Sequence, residues 1–267
     1  MTDTLPALET LDLDGAAVAF RRRPGQGPCL VMLHGLGCDQ DTFAAAFSRK
    51  ELRTRPLLTL DFPGFGHSSL PQGYACTLPA WARTTLSLLD ALGLGRVHLL
   101  GHSMGGSIAV LLARDLGPRL ASLISVEGTM LGEECALSRE IARMDKANFG
   151  SHLFPILAQR LSDDERSHYC LEHTRARALH EGARSLVTWA ERGSLLADFL
   201  ALDAPRLYVH GASSLKDPVL ERMRTKTRMV ADARISAAGH FSMHANPGGF
   251  YGVVADFLAE LPAAPPA

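Results

Sequence analysis

The chain has 267 residues, of which 46% are hydrophobic and 21% charged, and its formal net charge is −1. That length suits one large domain or a core with an insertion, and the composition is that of a globular protein with a substantial core. A charge so near zero gives no electrostatic basis for binding nucleic acid or an anionic membrane, and no apolar stretch approaches the ~18 residues of a membrane span.

Thr10 to Arg22 reads as a hairpin with Asp14-Gly15 as its turn. The Arg21-Arg22-Arg23 run at its end is short and reads as a solvated strand end or turn. Cys29 to Leu33 is a continuous apolar run, typical of a strand buried on both faces. It leads into His34-Gly35-Leu36-Gly37, and a helix is predicted from Asp41 to Leu52. Pro56 to Leu60 is the next strand, ending in Asp61-Phe-Pro-Gly-Phe-Gly-His67. A helix follows from Leu78 to Leu92, with Trp81, Leu86 and Leu89 on its apolar face. Arg96 to Leu100 is a strand, Met104 to Leu116 a helix stopped by Gly117-Pro118, and Leu120 to Val126 a strand. Strands alternating with helices imply a mostly parallel α/β sheet covered on both faces.

After Glu127 the rhythm changes. From about 128 to 203 only helical patterns occur. Ser138 is placed to cap a helix carrying Ile141 and Met144, and Ser162-Asp-Asp-Glu165 fits a capping box. Leu179, Leu186, Val187 and Ala190 share a later helix face. The alternation resumes with a strand from Arg206 to His210 and a helix from Pro218 to Met229. A strand from Ala233 to Ala237 and a helix from Pro247 to Leu261 follow, and Pro262 to Ala267 reads as a frayed end. The domain reading is a core of 1–127 and 204–267 with a helical cap at 128–203.

Five cysteines, Cys29, Cys38, Cys76, Cys135 and Cys170, are odd in number and lack C-x-x-C spacing. The pattern argues against a disulfide framework or zinc site and for a reducing compartment. The N-terminal Met1-Thr-Asp-Thr-Leu-Pro has neither a basic nor an apolar leader segment, so no signal peptide is expected. A cytoplasmic location is the expectation. No pattern in the sequence speaks to oligomeric state.

Gly101-His102-Ser103-Met104-Gly105 spells G-x-S-x-G, the pattern that seats a nucleophilic serine on a tight strand-to-helix turn. Alone the pattern is weak. Here a strand precedes it and a helix follows, which is the setting it requires. A serine hydroxyl also needs a base, usually His, and a carboxylate to orient that base. Among 11 histidines, His240 follows the last predicted strand, where ligands bind in open α/β folds. His34, His67 and His102 sit beside tight turns and read as structural.

The elbow, Leu33-His-Gly-Leu-Gly37, Asp61-Phe-Pro-Gly-Phe-Gly-His67 and Gly239-His-Phe241, in this order, resemble the α/β-hydrolase superfamily, in particular a capped esterase or lipase-like member. The resemblance spans nearly the whole chain. It implies an oxyanion hole from the backbone N–H groups of Met104 and Leu36. It also implies an acid about three residues past the glycine that ends the strand after the cap. That position holds Ser214, a departure from the pattern. Two carboxylates remain as candidates. Asp217 lies three residues further on, with helix capping before Pro218 as its structural alternative. Glu127 ends the strand after the nucleophile helix, 24 residues past Ser103, where some family members, haloalkane dehalogenases among them, carry the acid. A charged residue ending an apolar strand needs a partner, because an unpaired buried carboxylate is costly.

The resemblance therefore implies a serine hydrolase acting on small or medium acyl esters through an acyl-enzyme, with Ser103, His240 and Glu127 or Asp217 as its triad. The substrate expected is a small ester-like molecule, and the chemistry needs no metal or organic cofactor. Carbon–carbon bond hydrolases, thioesterases, amidases and perhydrolases share a serine elbow. Dehalogenases and epoxide hydrolases carry aspartate there and are disfavoured. The Ser214 departure keeps open a ligand-sensing protein on the same fold. Phe149, Leu153, Phe154, Leu157, Leu186 and Trp189 of the cap are candidates for the pocket lining or for the cap's own core.

Overall fold

Every residue of β3 (Cys29–Leu33) is buried. Its side chains alternate between two cores, with Cys29, Val31 and Leu33 in one and Leu30 and Met32 in the other, as the period of two in a strand requires. The computed structural model describes residues 5–162, 168–214, 218–226 and 230–261. α1 (Leu78–Ala91) and α2 (Met104–Leu116) cover the first core with Trp81, Leu88, Ile108 and Leu112. α10 (Pro247–Glu260) brings Phe250, Tyr251 and Val254 to the second.

Among the described residues, eight strands form one sheet in the order β1-β2-β4-β3-β5-β6-β7-β8. β1 (Glu9–Leu13) and β2 (Ala16–Arg23) are the expected antiparallel hairpin. Asp14 and Gly15 both adopt positive φ in its turn, the conformation that matches strand twist. β2 pairs antiparallel with β4 (Leu57–Leu60). β4, β3, β5 (Val97–His102), β6 (Leu120–Val126), β7 (Arg206–Gly211) and β8 (Ala231–Ile235) are parallel. β4 and β5 lie on opposite sides of β3, so a crevice opens beyond the carboxyl ends of these strands.

Between β6 and β7 the described residues contain helices and no strand: α3 (Ala136–Arg143), α4 (Lys146–Asn148), a π turn (Phe149–Leu153), α5 (Phe154–Ser162), α6 (Ala176–Glu191) and α7 (Ser194–Ala201). α8 (Pro218–Lys226) and the short α9 (Ser242–Ala245) complete the chain. No helix among the described residues is long and apolar enough to cross a membrane.

Four local expectations change. The helix predicted from Asp41 to Leu52 is two 3-10 runs, Gln40–Phe47 and Lys50–Leu52, interrupted at Phe43 by non-helical backbone. The Asp61 carboxylate takes both the Gln40 backbone and side-chain amides, at 2.7 and 2.8 Å, and fixes this stretch by tertiary bonds. Ser138 caps nothing, because α3 starts two residues earlier at Ala136 and Met144 is its C-cap. β8 lies two residues before its predicted start, and Ala237 beyond it has φ 52°, which a strand does not accommodate. The arginine run is not merely solvated, since the Arg23 guanidinium donates to the carbonyls of Phe47, Leu52 and Arg55. Asp163 to Glu165 of the proposed capping box, Asp217, residues 227–229 and the tail 262–267 lie outside the described residues.

Candidate active site

β5 ends at His102 and α2 starts at Met104, so Ser103 alone makes the turn. Its φ of 53° and ψ of −119° are strained for a residue with a Cβ. The glycines of the motif are steric necessities. A Cβ on Gly101 would lie 2.3 Å from the Gly105 carbonyl oxygen, and one on Gly105 would lie 2.1 Å from the Leu33 carbonyl oxygen. The strain is held by backbone bonds. Ser103 N–H donates to the Val126 carbonyl at 3.0 Å, and its own carbonyl accepts from Gly106 and Thr129 at 2.9 and 3.2 Å. Gly35 brings the loop after β3 against the elbow, because a Cβ there would sit 3.3 Å from the Ser103 Cβ.

His240 stands in the loop before α9, and its Nδ1 lies 2.9 Å from Glu127 Oε2. A carboxylate accepts, so Nδ1 carries the proton and Nε2 is left as the basic nitrogen. Ser103 and His240 line one cavity of about 300 Å³. No hydrogen bond joins the Ser103 hydroxyl to the imidazole among the described residues; such bonds commonly tighten only with substrate in place.

Glu127 follows the last residue of β6 with φ 42°. Its N–H donates to the Val209 carbonyl at 2.9 Å, tying it to β7. Its other carboxylate oxygen, Oε1, accepts from the Gly211 N–H at 2.8 Å and from the Ser214 hydroxyl. Burial alone raises a carboxyl's pKa, but the hydrogen bonds and charge of His240, the Ser214 hydroxyl and the Gly211 N–H outweigh it and hold Glu127 down to about 2. Glu127 is therefore ionised at neutral pH. The other acid candidate, Asp217, lies outside the described residues.

His102 Nε2 donates to the His240 carbonyl at 2.9 Å, and the two rings pack with centroids 4.6 Å apart. Burial, reinforced by the nearby His240, pushes the His102 pKa well down, so this ring is neutral. His34 accepts from the Phe62 N–H through Nε2 at 3.1 Å and donates through Nδ1 to the Gly35 carbonyl at 2.8 Å. His67 N–H donates to Asp61 at 2.9 Å. The His34 and His102 rings thus organise loops, as their places beside turns suggest, whereas His67 contributes there only its backbone N–H.

Leu36 lines the cavity, and Met104 is buried at the first position of α2, where helix geometry leaves its N–H without an intrahelical acceptor. None of the six cap residues singled out in the sequence lines this cavity. Phe149, Leu157 and Leu186 are core, while Leu153, Phe154 and Trp189 pack half-buried against it. The lining comes instead from Leu137 and Ile141 on α3, Leu161, Tyr169, Leu171 and Leu179. Hydrophobic spacing identifies a helix's buried face but not which buried residue borders a cavity. The sequence also misses Ser214 as a partner of Glu127, although its place where an acid was expected marked it.

The profile of the alpha/beta hydrolase family matches residues 30–253. The chain belongs to the alpha/beta hydrolase family. Among curated relatives, it is 33% identical over 132 residues to the dihydrolipoyllysine-residue acetyltransferase component of an acetoin cleaving system from Cupriavidus necator, covering 49% of this chain and 34% of that protein. It is 36% identical over 118 residues to a pimeloyl-[acyl-carrier protein] methyl ester esterase from Aeromonas salmonicida, covering 44% of this chain and 43% of that protein. The match thus spans less than half the length of either relative. A solved thermophilic esterase from Thermogutta terrifontis superposes with a TM-score of 0.74 at 24% identity, over 95% of this chain and 97% of that one. That likeness shows the fold.

Proposed function

We propose that this alpha/beta hydrolase is a serine hydrolase that cleaves carboxylic esters of small or medium acyl groups. One observation carries the reading: a base, His240, is bonded at 2.9 Å to an ionised carboxylate, Glu127, in the cavity that Ser103 lines. The named relatives support the bond class, since one of them is a methyl ester esterase. Residues 128–203 act as the cap over the cavity.

The His240 Nε2 takes the proton of the Ser103 hydroxyl as its oxygen attacks the ester carbonyl. Negative charge moves to the carbonyl oxygen, which the N–H groups of Met104 and Leu36 hold. The imidazolium then gives its proton to the departing alcohol, leaving an acyl-serine. Water enters and attacks the acyl carbon as it loses a proton to His240, and the imidazolium returns that proton to the Ser103 oxygen as the acid leaves. Glu127 fixes the imidazole tautomer and stabilises its charged form throughout. No step calls for a metal or an organic cofactor. Because Glu127 fills the role vacated at Ser214, the departure at that position no longer favours a ligand-sensing protein over an enzyme.

A panel of p-nitrophenyl esters of graded acyl length tests the reading. Wild type turns over the short members, Ser103→Ala does not, and a fluorophosphonate labels Ser103 rapidly. Equal hydrolysis by Ser103→Ala, or no labelling of wild type, overturns it.

A further inference from the structure

Thr129 and Ser138 are 6% and 9% exposed, and both border the cavity beside Ser103. Thr129 lies directly against the elbow. Its N–H donates to the Ser103 carbonyl at 3.2 Å, and its carbonyl accepts from the Ser107 hydroxyl. Ser138 sits in the first turn of α3, between the cavity-lining Leu137 and Ile141. Neither hydroxyl has a hydrogen-bond partner among the described residues, and neither is sealed away from the cavity. A serine in a helix often satisfies itself on the carbonyl four residues back; Ser138 does not.

The neighbouring polar groups are otherwise engaged. Glu134 accepts from the Met130 and Leu131 N–H groups at 2.8 and 2.9 Å, and Glu133 pairs with Arg222. Two hydroxyls on one side of the cavity thus have donor and acceptor capacity that no protein group among the described residues uses. The cavity wall beside Gly37 is more apolar by contrast, with Leu36, Leu171 and Leu179 lining it and the last two closing on Gly37. Among the described residues, Glu127, Glu133 and Glu134 border the same cavity and no lysine or arginine does, which disfavours an anionic substituent.

We infer that Thr129 and Ser138 form a polar subsite, and that the substrate is an ester bearing an uncharged hydrogen-bonding substituent such as a hydroxyl, oxo or amide group, with its alkyl portion against Leu171 and Leu179. The inference rests on the ester hydrolase reading and names the substrate class within it. A site built to bond a hydroxyl discriminates against a methyl of similar size by leaving its own groups unpaired.

Two isosteric ester pairs test this. One carries the hydroxyl on the acyl half, p-nitrophenyl 3-hydroxybutanoate against 3-methylbutanoate. The other carries it on the alcohol half, 2-hydroxypropyl butanoate against 2-methylpropyl butanoate. In at least one pair, wild type favours the hydroxyl member in kcat/KM by about tenfold. Thr129→Val with Ser138→Ala erases that preference, mainly through KM, while Thr129→Ser retains it. Ratios that stay within about twofold of wild type in both pairs overturn the inference. Binding of the same esters to Ser103→Ala by calorimetry reads the subsite without turnover. Discrimination there, with no hydrolysis by wild type, supports the subsite and counts only against the hydrolase reading. Equal binding of both members of each pair counts against the subsite.

Discussion

The Ser214 hydroxyl donates to the oxygen of Glu127 that His240 leaves free. The position expected to carry the acid thus contributes a hydrogen bond to a carboxylate just past the neighbouring strand. β6 and β7 are adjacent and parallel, so their carboxyl ends offer two routes to the same imidazole, and here the carboxylate bonded to it is Glu127, the residue just past β6.

Glu127→Gln is expected to lower kcat for p-nitrophenyl butyrate by about 10²–10⁴, because the amide cannot hold the imidazole tautomer or its charge. Asp217→Asn is expected to change it by less than about threefold, given that Glu127 already occupies His240. The reverse ranking would place the acid at Asp217.

Ser214→Ala is expected to cut kcat by about tenfold with KM nearly unchanged, the loss of one hydrogen bond to a charged group. Ser214→Thr keeps the hydroxyl and most of the rate. A Ser214→Ala enzyme with wild-type kcat at all pH values would show that the bond is idle.

Gly105→Ala puts a Cβ within 2.1 Å of the Leu33 carbonyl oxygen. Neither backbone can yield without moving β3 or the elbow, so the cost is about 3 kcal/mol or more and Tm falls by roughly 6–12 °C. Gly95→Ala, with open space around its Cβ, serves as the control and leaves Tm within about 1 °C. Equal melting of the two variants would show that the elbow is not sterically locked.

Acid stability follows from the buried histidines and Glu127. Burial lowers the pKa of His34, and holds His98 and His244 down to about 4. Between the ordinary histidine value of 6.5 and about 4, the unfolded chain binds protons that the folded chain refuses. Stability therefore falls as pH drops through that window. Glu127 adds a second loss between its ordinary 4.5 and about 2. Tm measured from pH 8 downward is expected to decline from about pH 6.5, and Glu127→Gln to flatten the limb below pH 4.5. A Tm constant from pH 7 to pH 4 contradicts the first part, and parallel profiles below pH 4.5 contradict the second.

The fold was legible because its signals are local. The apolar run Cys29–Leu33 marks a strand covered on both faces, and Asp14-Gly15 fits the hairpin turn. Met104–Leu116 begins and ends where its helical spacing and Gly117 place it. The failure at Asp41–Leu52 has the opposite cause, since the chain there is fixed by the distant Asp61 carboxylate.

At the site, the sequence by itself determined the elbow: G-x-S-x-G between a strand and a helix leaves Ser103 little other conformation. It also pointed to His240 as the candidate base and to two carboxylates as candidate acids. Only the tertiary structure brought Glu127 Oε2 to His240 Nδ1 and turned Ser214 onto Glu127. It alone left the Thr129 and Ser138 hydroxyls open to the cavity and put the expected cap residues elsewhere. The physical reason is that turn chemistry and periodicity act over a few residues. A hydrogen bond across 113 positions, or the lining of a cavity, depends on how strands and helices are finally packed together.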